Sequence, residues 1–121
     1  MSTALSINTQ VAAAQQAEAE RATATATATA TANALAASAR RAKDAVWDRL
    51  AQCETGGRWN MRGARFSGGL GFYNGTWDSF GGREFASNAG LASRDQQIVV
   101  AERVRARFGY TGWGCAPNVG L

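Results

Sequence analysis

The chain has 121 residues, enough for one small domain and a flanking segment. Its 13 Lys and Arg residues outnumber its 9 Asp and Glu residues, for a net charge of +4, but the basic residues form no continuous stripe, so we expect no nucleic-acid binding. The absence of His excludes Ser-His and Cys-His nucleophiles and leaves too few ligands for zinc, so we expect neither a metal nor a cofactor.

The first 43 residues differ in composition from the rest. They are mostly Ala, Thr, Ser and Gln, and residues 22–32 alternate Ala and Thr, whereas every aromatic residue and both Cys residues follow Asp44. The large apolar residues of this segment are Leu5, Ile7, Val11 and Leu35. They are too sparse to indicate a heptad seam. We interpret residues 1–43 as a low-complexity arm, either a linker or a helix formed against a partner, and residues 44–121 as the folded domain.

The start of the chain bears on delivery. Residues 1–20 lack the basic and apolar regions of a secretion signal and any run long enough to span a membrane. Met1 followed by Ser2 is typical of a native start. For a protein that works outside the cytoplasm, this favours delivery in a virus particle or by cell lysis, and the alternative is a signal peptide upstream of Met1.

An amphipathic helix is predicted at the start of the domain. Asp44 can cap its N-terminus, and Gly56-Gly57 can end it. Its apolar stripe consists of Val46, Trp47, Leu50 and Cys53. Glu54 falls at the edge of this stripe and in the last turn, where the helix dipole and partial burial both disfavour a carboxylate. Glu54 is therefore a candidate general acid, and the alternative is a solvated residue at a frayed helix end.

A Gly-rich middle and a second long helix follow. Residues 68–72, Gly-Gly-Leu-Gly-Phe, suggest a loop or a small hairpin, and Asn74 or Thr76 can cap a short helix after it. Ser93 and Gln96 fit a capping box. The helix that follows carries its apolar residues at helical spacing: Ile98, Ala101, Val104 and Phe108.

The two Cys residues offer a way to stabilise so short a domain. A disulfide between Cys53 and Cys115 would close nearly the whole domain and would imply an oxidising, extracytoplasmic compartment. Two buried free thiols are the alternative.

Three ordered segments resemble the resuscitation-promoting-factor domain of actinobacteria. The first is residues 47–57, with Cys53-Glu54 followed by Gly56-Gly57. The second is residues 68–72 together with Thr76-Trp77 and Gly81-Gly82, and the third runs from 91 to 104. The resemblance covers most of residues 45–115.

This resemblance implies a mainly α, lysozyme-like (α+β) fold with one disulfide, Cys53–Cys115. It also implies cleavage of the β-1,4 bond between N-acetylmuramic acid and N-acetylglucosamine in peptidoglycan, with Glu54 as the catalytic residue. Aromatic faces and backbone groups are expected to bind the sugars, with core packing as the alternative for each aromatic residue. The candidates are Gly69, Phe72, Trp77, Gln97 and Trp113.

The mechanism depends on the number of acids. Glycosidases usually use a pair of carboxyl groups. In this sequence no second acid lies in a motif, and Asp78, beside Trp77, is the best-placed candidate. A single carboxyl group favours a lytic transglycosylase, in which Glu54 protonates the glycosidic oxygen and then deprotonates the 6-hydroxyl group to give a 1,6-anhydro end. Hydrolysis by a muramidase mechanism is the alternative.

The chain departs from the family pattern at three places. Gly71 stands where a Gln is usual, so a polar side chain near the cleft is lost. The preceding loop is shorter and carries Arg62, Arg65 and Ser67, and Trp113-Gly114-Cys115 replaces a longer Trp-Pro-Val-Cys segment.

Three functional hypotheses remain. The leading one is a peptidoglycan-cleaving enzyme on a phage tail, with residues 1–43 docked to tail proteins and the domain opening the wall locally. The second is a structural or wall-binding module with little catalysis, and the third is a secreted, resuscitation-promoting growth factor.

Overall fold

The computed structural model describes the backbone of residues 2–121 and the side chains of residues 6–121. The chain divides into two compact units, Met1–Arg41 and Ala42–Leu121. Within the described residues, no helix is both long enough and apolar enough to cross a membrane.

Helix α1 (Ser2–Thr55) includes the arm and the first helix predicted for the domain. The predicted N-cap at Asp44 is wrong, because the helix already begins at Ser2 and Asp44 lies inside it. The reason is local: the Ala-rich residues before Asp44 favour a helix, and no Gly or Pro interrupts them. The Asp44 carboxylate instead lies 3.6 Å from Nη1 of Arg94.

The end of α1 is set by two glycines, as predicted. Gly56 and Gly57 have φ angles of +68° and +76°, which are readily accessible only to glycine. Their N–H groups donate to the carbonyl oxygens of Gln52 and Ala51 at 3.0 and 3.1 Å. These bonds satisfy carbonyl groups of the last turn and fix the position of Glu54 within it.

The Gly-rich middle forms the predicted hairpin. Strand β1 (Phe66–Ser67) pairs antiparallel with β2 (Phe72–Tyr73), and helix α2 (Asn74–Ser79) follows at once. The predicted side-chain cap of α2 is wrong, because the N-cap residue is Tyr73 and no side chain caps the helix. Asn74 instead accepts a hydrogen bond from the Ser67 hydroxyl at 2.8 Å and donates to two carbonyl groups of the preceding loop.

Helix α3 (Arg94–Phe108) begins with the predicted capping box. The Gln96 N–H donates to the Ser93 hydroxyl at 3.1 Å, and the Ser93 N–H donates to Oε1 of Gln96 at 3.0 Å. Short 3-10 turns occupy Gly82–Glu84, Ala89–Leu91 and Pro117–Val119.

The domain has a single core centred on α1, the hairpin and α3. Trp47 packs against Trp113 with ring centroids 5.1 Å apart, and Phe72 packs against Trp77 at 5.4 Å. Of the predicted stripe on α3, Ile98, Ala101 and Val104 are buried, whereas Phe108 is exposed. The prediction of a mainly α, lysozyme-like domain with a small sheet and one disulfide is confirmed.

Candidate active site

Glu54 is held from two directions by the segment around Cys115. Its neighbour Cys53 forms the disulfide with Cys115, with Cα atoms 5.9 Å apart, as the resemblance implied. The Cys115 N–H donates to Oε1 of Glu54 at 2.9 Å. Glu54 makes no other hydrogen bond or ion pair within the described side chains, so Oε2 has no protein partner there. The carboxyl group is therefore oriented through one oxygen, and the other oxygen has no partner among the side chains of residues 6–121.

Glu54 lies in the wall of a cleft of about 330 Å³. The residues that line the cleft are Glu54, Thr55, Met61, Phe66, Gly71, Gly112 and Trp113. Glu54 is the one acid among them. Asp78, the best-placed second acid by sequence, is not among these lining residues, and its carboxylate lies 3.2 Å from Nε of Arg83.

A second, mainly aromatic cavity of about 250 Å³ adjoins the first. The two share Phe66, Gly71, Gly112 and Trp113. Phe66 and Tyr73 also line the second cavity, and their side chains are 52% and 57% exposed. Sequence reasoning missed both, although the hairpin register could have found them: Ser67 and Phe72 pair and point inward, so Phe66 and Tyr73 pair on the outer face.

Gly69 and Gln97, predicted to contact substrate, support the loop beside the cleft. The Gly69 N–H donates to Oε1 of Gln97 at 2.8 Å, and the Gly69 carbonyl accepts from the Thr55 hydroxyl at 2.6 Å. Nε2 of Gln97 donates to the carbonyl oxygens of Trp59 and Ala92 at 2.9 and 3.1 Å. Gln97 is 0% exposed, so the structure gives it a positioning role, and contact with substrate stays a prediction for both residues.

All three aromatic candidates are buried in the core, and they differ in whether they also line a cavity. Trp77 is 1% exposed and its indole N–H donates to the Ala86 carbonyl oxygen at 2.9 Å, so it packs in the core as the alternative interpretation expected. Phe72 contributes to the second cavity, and Trp113 contributes to both. The structure thus brings Trp113 to the Glu54 cleft, and it leaves Trp77 out of both lining sets.

Residues 41–116 match the family described as Transglycosylase-like domain. The chain belongs to this family. It is similar to resuscitation-promoting factor Rpf1 of Corynebacterium glutamicum, with 50% identity over 88 residues, which are 71% of this chain and 46% of that protein. It is also similar to resuscitation-promoting factor RpfA of Mycobacterium tuberculosis, with 51% identity over 79 residues, 64% of this chain and 19% of that protein. The predicted resemblance is confirmed, and the chain spans less than half the length of these relatives.

Polar contacts between α1 and α3 hold the helix that carries Glu54 in this transglycosylase-like domain. The Trp47 indole N–H donates to Oε1 of Glu102 at 2.7 Å. Nε and Nη2 of Arg94 donate to the two carboxylate oxygens of Asp48 at 2.8 and 2.9 Å. Hydrogen bonding to Asp48 raises the pKa of Arg94, with smaller contributions from Asp44 and Asp95 and an opposing one from desolvation. Arg94 therefore stays charged at any physiological pH.

No cluster suitable for a metal ion is present among residues 6–121. No three or more His, Cys, Asp or Glu side chains come together there. The chemistry available in the cleft of this transglycosylase-like domain is that of a carboxyl group, a backbone donor and aromatic walls.

Proposed function

We propose that the domain cleaves the β-1,4 bond between N-acetylmuramic acid and N-acetylglucosamine in peptidoglycan, as a lytic transglycosylase with Glu54 as its catalytic residue. The observation that carries this proposal is a cleft with a single lining carboxyl group, which the Cys115 N–H orients through one oxygen. Membership of the transglycosylase-like family supports the reaction class.

In the first step, Glu54 in its acid form protonates the glycosidic oxygen, and the bond from that oxygen to C1 breaks as positive charge develops on the muramic acid ring. Loss of the proton converts Glu54 to a carboxylate. The N–H of Cys115 donates more strongly to the charged form than to the neutral one, so this contact stabilises Glu54 after proton transfer.

In the second step, the Glu54 carboxylate accepts the proton of the 6-hydroxyl group, whose oxygen attacks C1 and closes the 1,6-anhydro ring. Hydrolysis would instead use a second carboxylate to activate water or to stabilise C1. The cleft lining contains no such group, so the structure favours the intramolecular attack.

The test is mass spectrometry of the products released from purified peptidoglycan by the full chain. We expect 1,6-anhydro muropeptides from the wild type and a loss of about 1,000-fold in rate for Glu54→Gln, because the amide cannot transfer the proton. Asp78→Asn is the matched control and should retain the wild-type rate. Reducing ends that disappear in Asp78→Asn would indicate hydrolysis, and no products from folded, oxidised wild type would refute cleavage.

A second function, wall binding with little catalysis, is favoured by Gly71. This residue lines both cavities without a side chain, at a position where the family resemblance leads us to expect a polar one. The same experiment separates the two functions when wall pull-down is added, because a pure binding module would sediment with peptidoglycan and release no muropeptides in either variant.

The site of action is proposed to lie outside the cytoplasm, where the Cys53–Cys115 disulfide would be stable. Docking of residues 1–43 to phage tail proteins and action as a secreted growth-promoting factor are both compatible with this placement. Mass spectrometry of proteins that co-purify with the chain from its natural source would distinguish a virion from the cell wall.

A further inference from the structure

The arm carries a stripe of residues that the proposed function does not use. Residues spaced alternately four and three positions apart lie on one side of the helix. Starting at Ile7, this spacing reaches Ala32 and then Leu35. We call residues 7–32 at this spacing the arm seam. Although the large apolar residues alone are too sparse to indicate a heptad pattern, the three whose side chains are described, Ile7, Val11 and Leu35, all fall on this stripe.

These apolar side chains remain largely exposed in the described part of the chain. Ile7, Val11 and Leu35 are 53%, 49% and 67% exposed. A helix without a buried face is a poor candidate for independent stability, because packing of an apolar side supplies most helix stability in proteins. The arm therefore has an exposed apolar surface that a partner could bury, and burial of that surface would stabilise its helix.

The size of the side chains along the seam matches a second copy in the antiparallel direction. We consider the antiparallel register in which the numbers of two facing residues sum to 39. In this register Ile7 faces Ala32 of the second copy, and Val11 faces Ala28 of the second copy. Each large side chain then meets an alanine, which allows two helices to approach closely without overlap. Ala14 and Thr25, both small, form the next layer.

The charges select the same direction. Glu18 and Arg21 lie on the seam, are exposed, and have no hydrogen bond or ion pair within the described side chains. In the antiparallel register Glu18 faces Arg21 of the second copy, and Arg21 faces its Glu18, which gives two attractive pairs at the centre. A parallel arrangement would place Glu18 against Glu18 and Arg21 against Arg21.

We propose that the arm seams of two copies of this chain associate as an antiparallel coiled coil with Glu18 and Arg21 paired at its centre. The contact is about 40 Å long, and it is mostly alanine. Its stability is therefore modest, and its specificity comes from the central charges. One dimer would carry two domains, which raises the effective concentration of the second at a polymeric wall once the first has bound.

Sedimentation equilibrium of the full chain tests the proposal. The wild type is expected to dimerise, and Glu18→Arg and Arg21→Glu are each expected to raise the dimer dissociation constant by about tenfold or more, because both central pairs become like-charged. The double variant Glu18→Arg with Arg21→Glu restores opposite charges and should return the constant close to that of the wild type. Glu20→Arg, the same charge change off the seam, is the matched control and should leave dimerisation unchanged.

Each other outcome decides against the proposal. A wild type that stays monomeric would leave the arm to another partner. Dimers that tolerate either single charge reversal would exclude the antiparallel register, because a parallel dimer already holds like charges in those layers. Recovery in the double variant also rules out misfolding as the cause of the single-variant losses.

Cross-linking gives an independent reading of the register. Protein with Val11→Cys mixed with protein with Ala28→Cys should form a disulfide-linked heterodimer, identified by peptide mass spectrometry. If Val11→Cys chains linked to each other in preference to Ala28→Cys chains, the antiparallel arrangement would be wrong.

Discussion

The arm and the domain are both helical, but for different physical reasons. Residues 6–41 of α1 are almost entirely exposed within one chain, and their helix rests on the high propensity of alanine, because the described residues of the same chain bury no face of it. Helix α3 has charged residues in its first turn and in its C-terminal half, and it is fixed by a capping box and by the burial of Ile98, Val100 and Val104. Removing tertiary contacts should therefore unfold the domain and spare the arm, whereas lowering helix propensity should do the reverse.

The disulfide gives the largest expected separation of the two regions. Cys53 and Cys115 are 62 positions apart, and a loop of that length is worth about 4 kcal/mol by chain entropy. We expect Cys53→Ala with Cys115→Ala to lower the melting temperature of the domain by about 20 °C. Trp fluorescence reports the domain, which contains all four Trp residues, and far-UV circular dichroism reports the arm as well.

The control for this prediction is the wild type under reducing conditions, which should melt like the double variant. A domain that melts at the same temperature with and without the disulfide would mean that its core alone holds it together, and the contrast with the arm would be weaker.

A buried amide in the domain should give the next largest effect. Gln97→Met keeps the volume of the side chain but leaves the Gly69 N–H and the carbonyl groups of Trp59 and Ala92 without partners. We expect a loss of about 3 kcal/mol in the free energy of unfolding, measured by urea titration, because buried polar groups left unpaired are costly. Gln96→Met, which removes only the exposed half of the capping box, should cost about 1 kcal/mol or less. Equal losses in the two variants would refute the role given to Gln97.

Local features of the fold could be predicted from sequence because their causes are local. The capping box joins Ser93 and Gln96, which are three positions apart, and the end of α1 depends on two adjacent glycines. The Asp44 cap is wrong for the opposite reason: a helix start depends on what precedes it. The composition of residues 1–43 left a linker and a helix both open, and the helix that forms already includes Asp44.

The site was predictable only in part because its contacts are distant in sequence. Glu54 stood out by its helix end and by the family pattern, but its hydrogen bond from Cys115 joins residues 61 apart. Gln97 reaches Gly69 across 28 positions and Trp59 across 38, so spacing could not reveal what it holds. Composition likewise could not tell Trp77, which lies in the core, from Phe66, which lines both cavities.

The ion pair of Arg94 with Asp48 should have a smaller effect, because half of the Asp48 side chain is exposed. We expect Arg94→Met to lower the free energy of unfolding by about 1 kcal/mol, and less at about 1 M salt, where exposed charges are screened. A base whose pKa is raised on folding contributes fully below its unfolded-state pKa, so the loss should be constant across neutral pH. Arg49→Met, at an exposed Arg without an ion pair among residues 6–121, is the control, and a loss equal to that of Arg94→Met would contradict the assignment.

The smallest effect on the domain should come from changes in the arm. Ala26, Thr27 and Ala30 lie off the seam. The double variant Ala26→Gly with Ala30→Gly should lower helix stability by about 1 kcal/mol per substitution, whereas Thr27→Ala should raise it by roughly half that amount. Far-UV circular dichroism should show less helix in the first variant and more in the second, because all three substituted positions lie off the arm seam and change helix propensity without changing the side chains that face a second copy. The melting temperature by Trp fluorescence should be unchanged in both, since the domain has its own core and disulfide. If glycine in the arm lowered the melting temperature of the domain, the two units would unfold as one, and helix formation in the arm would contribute to the stability of the site at Glu54.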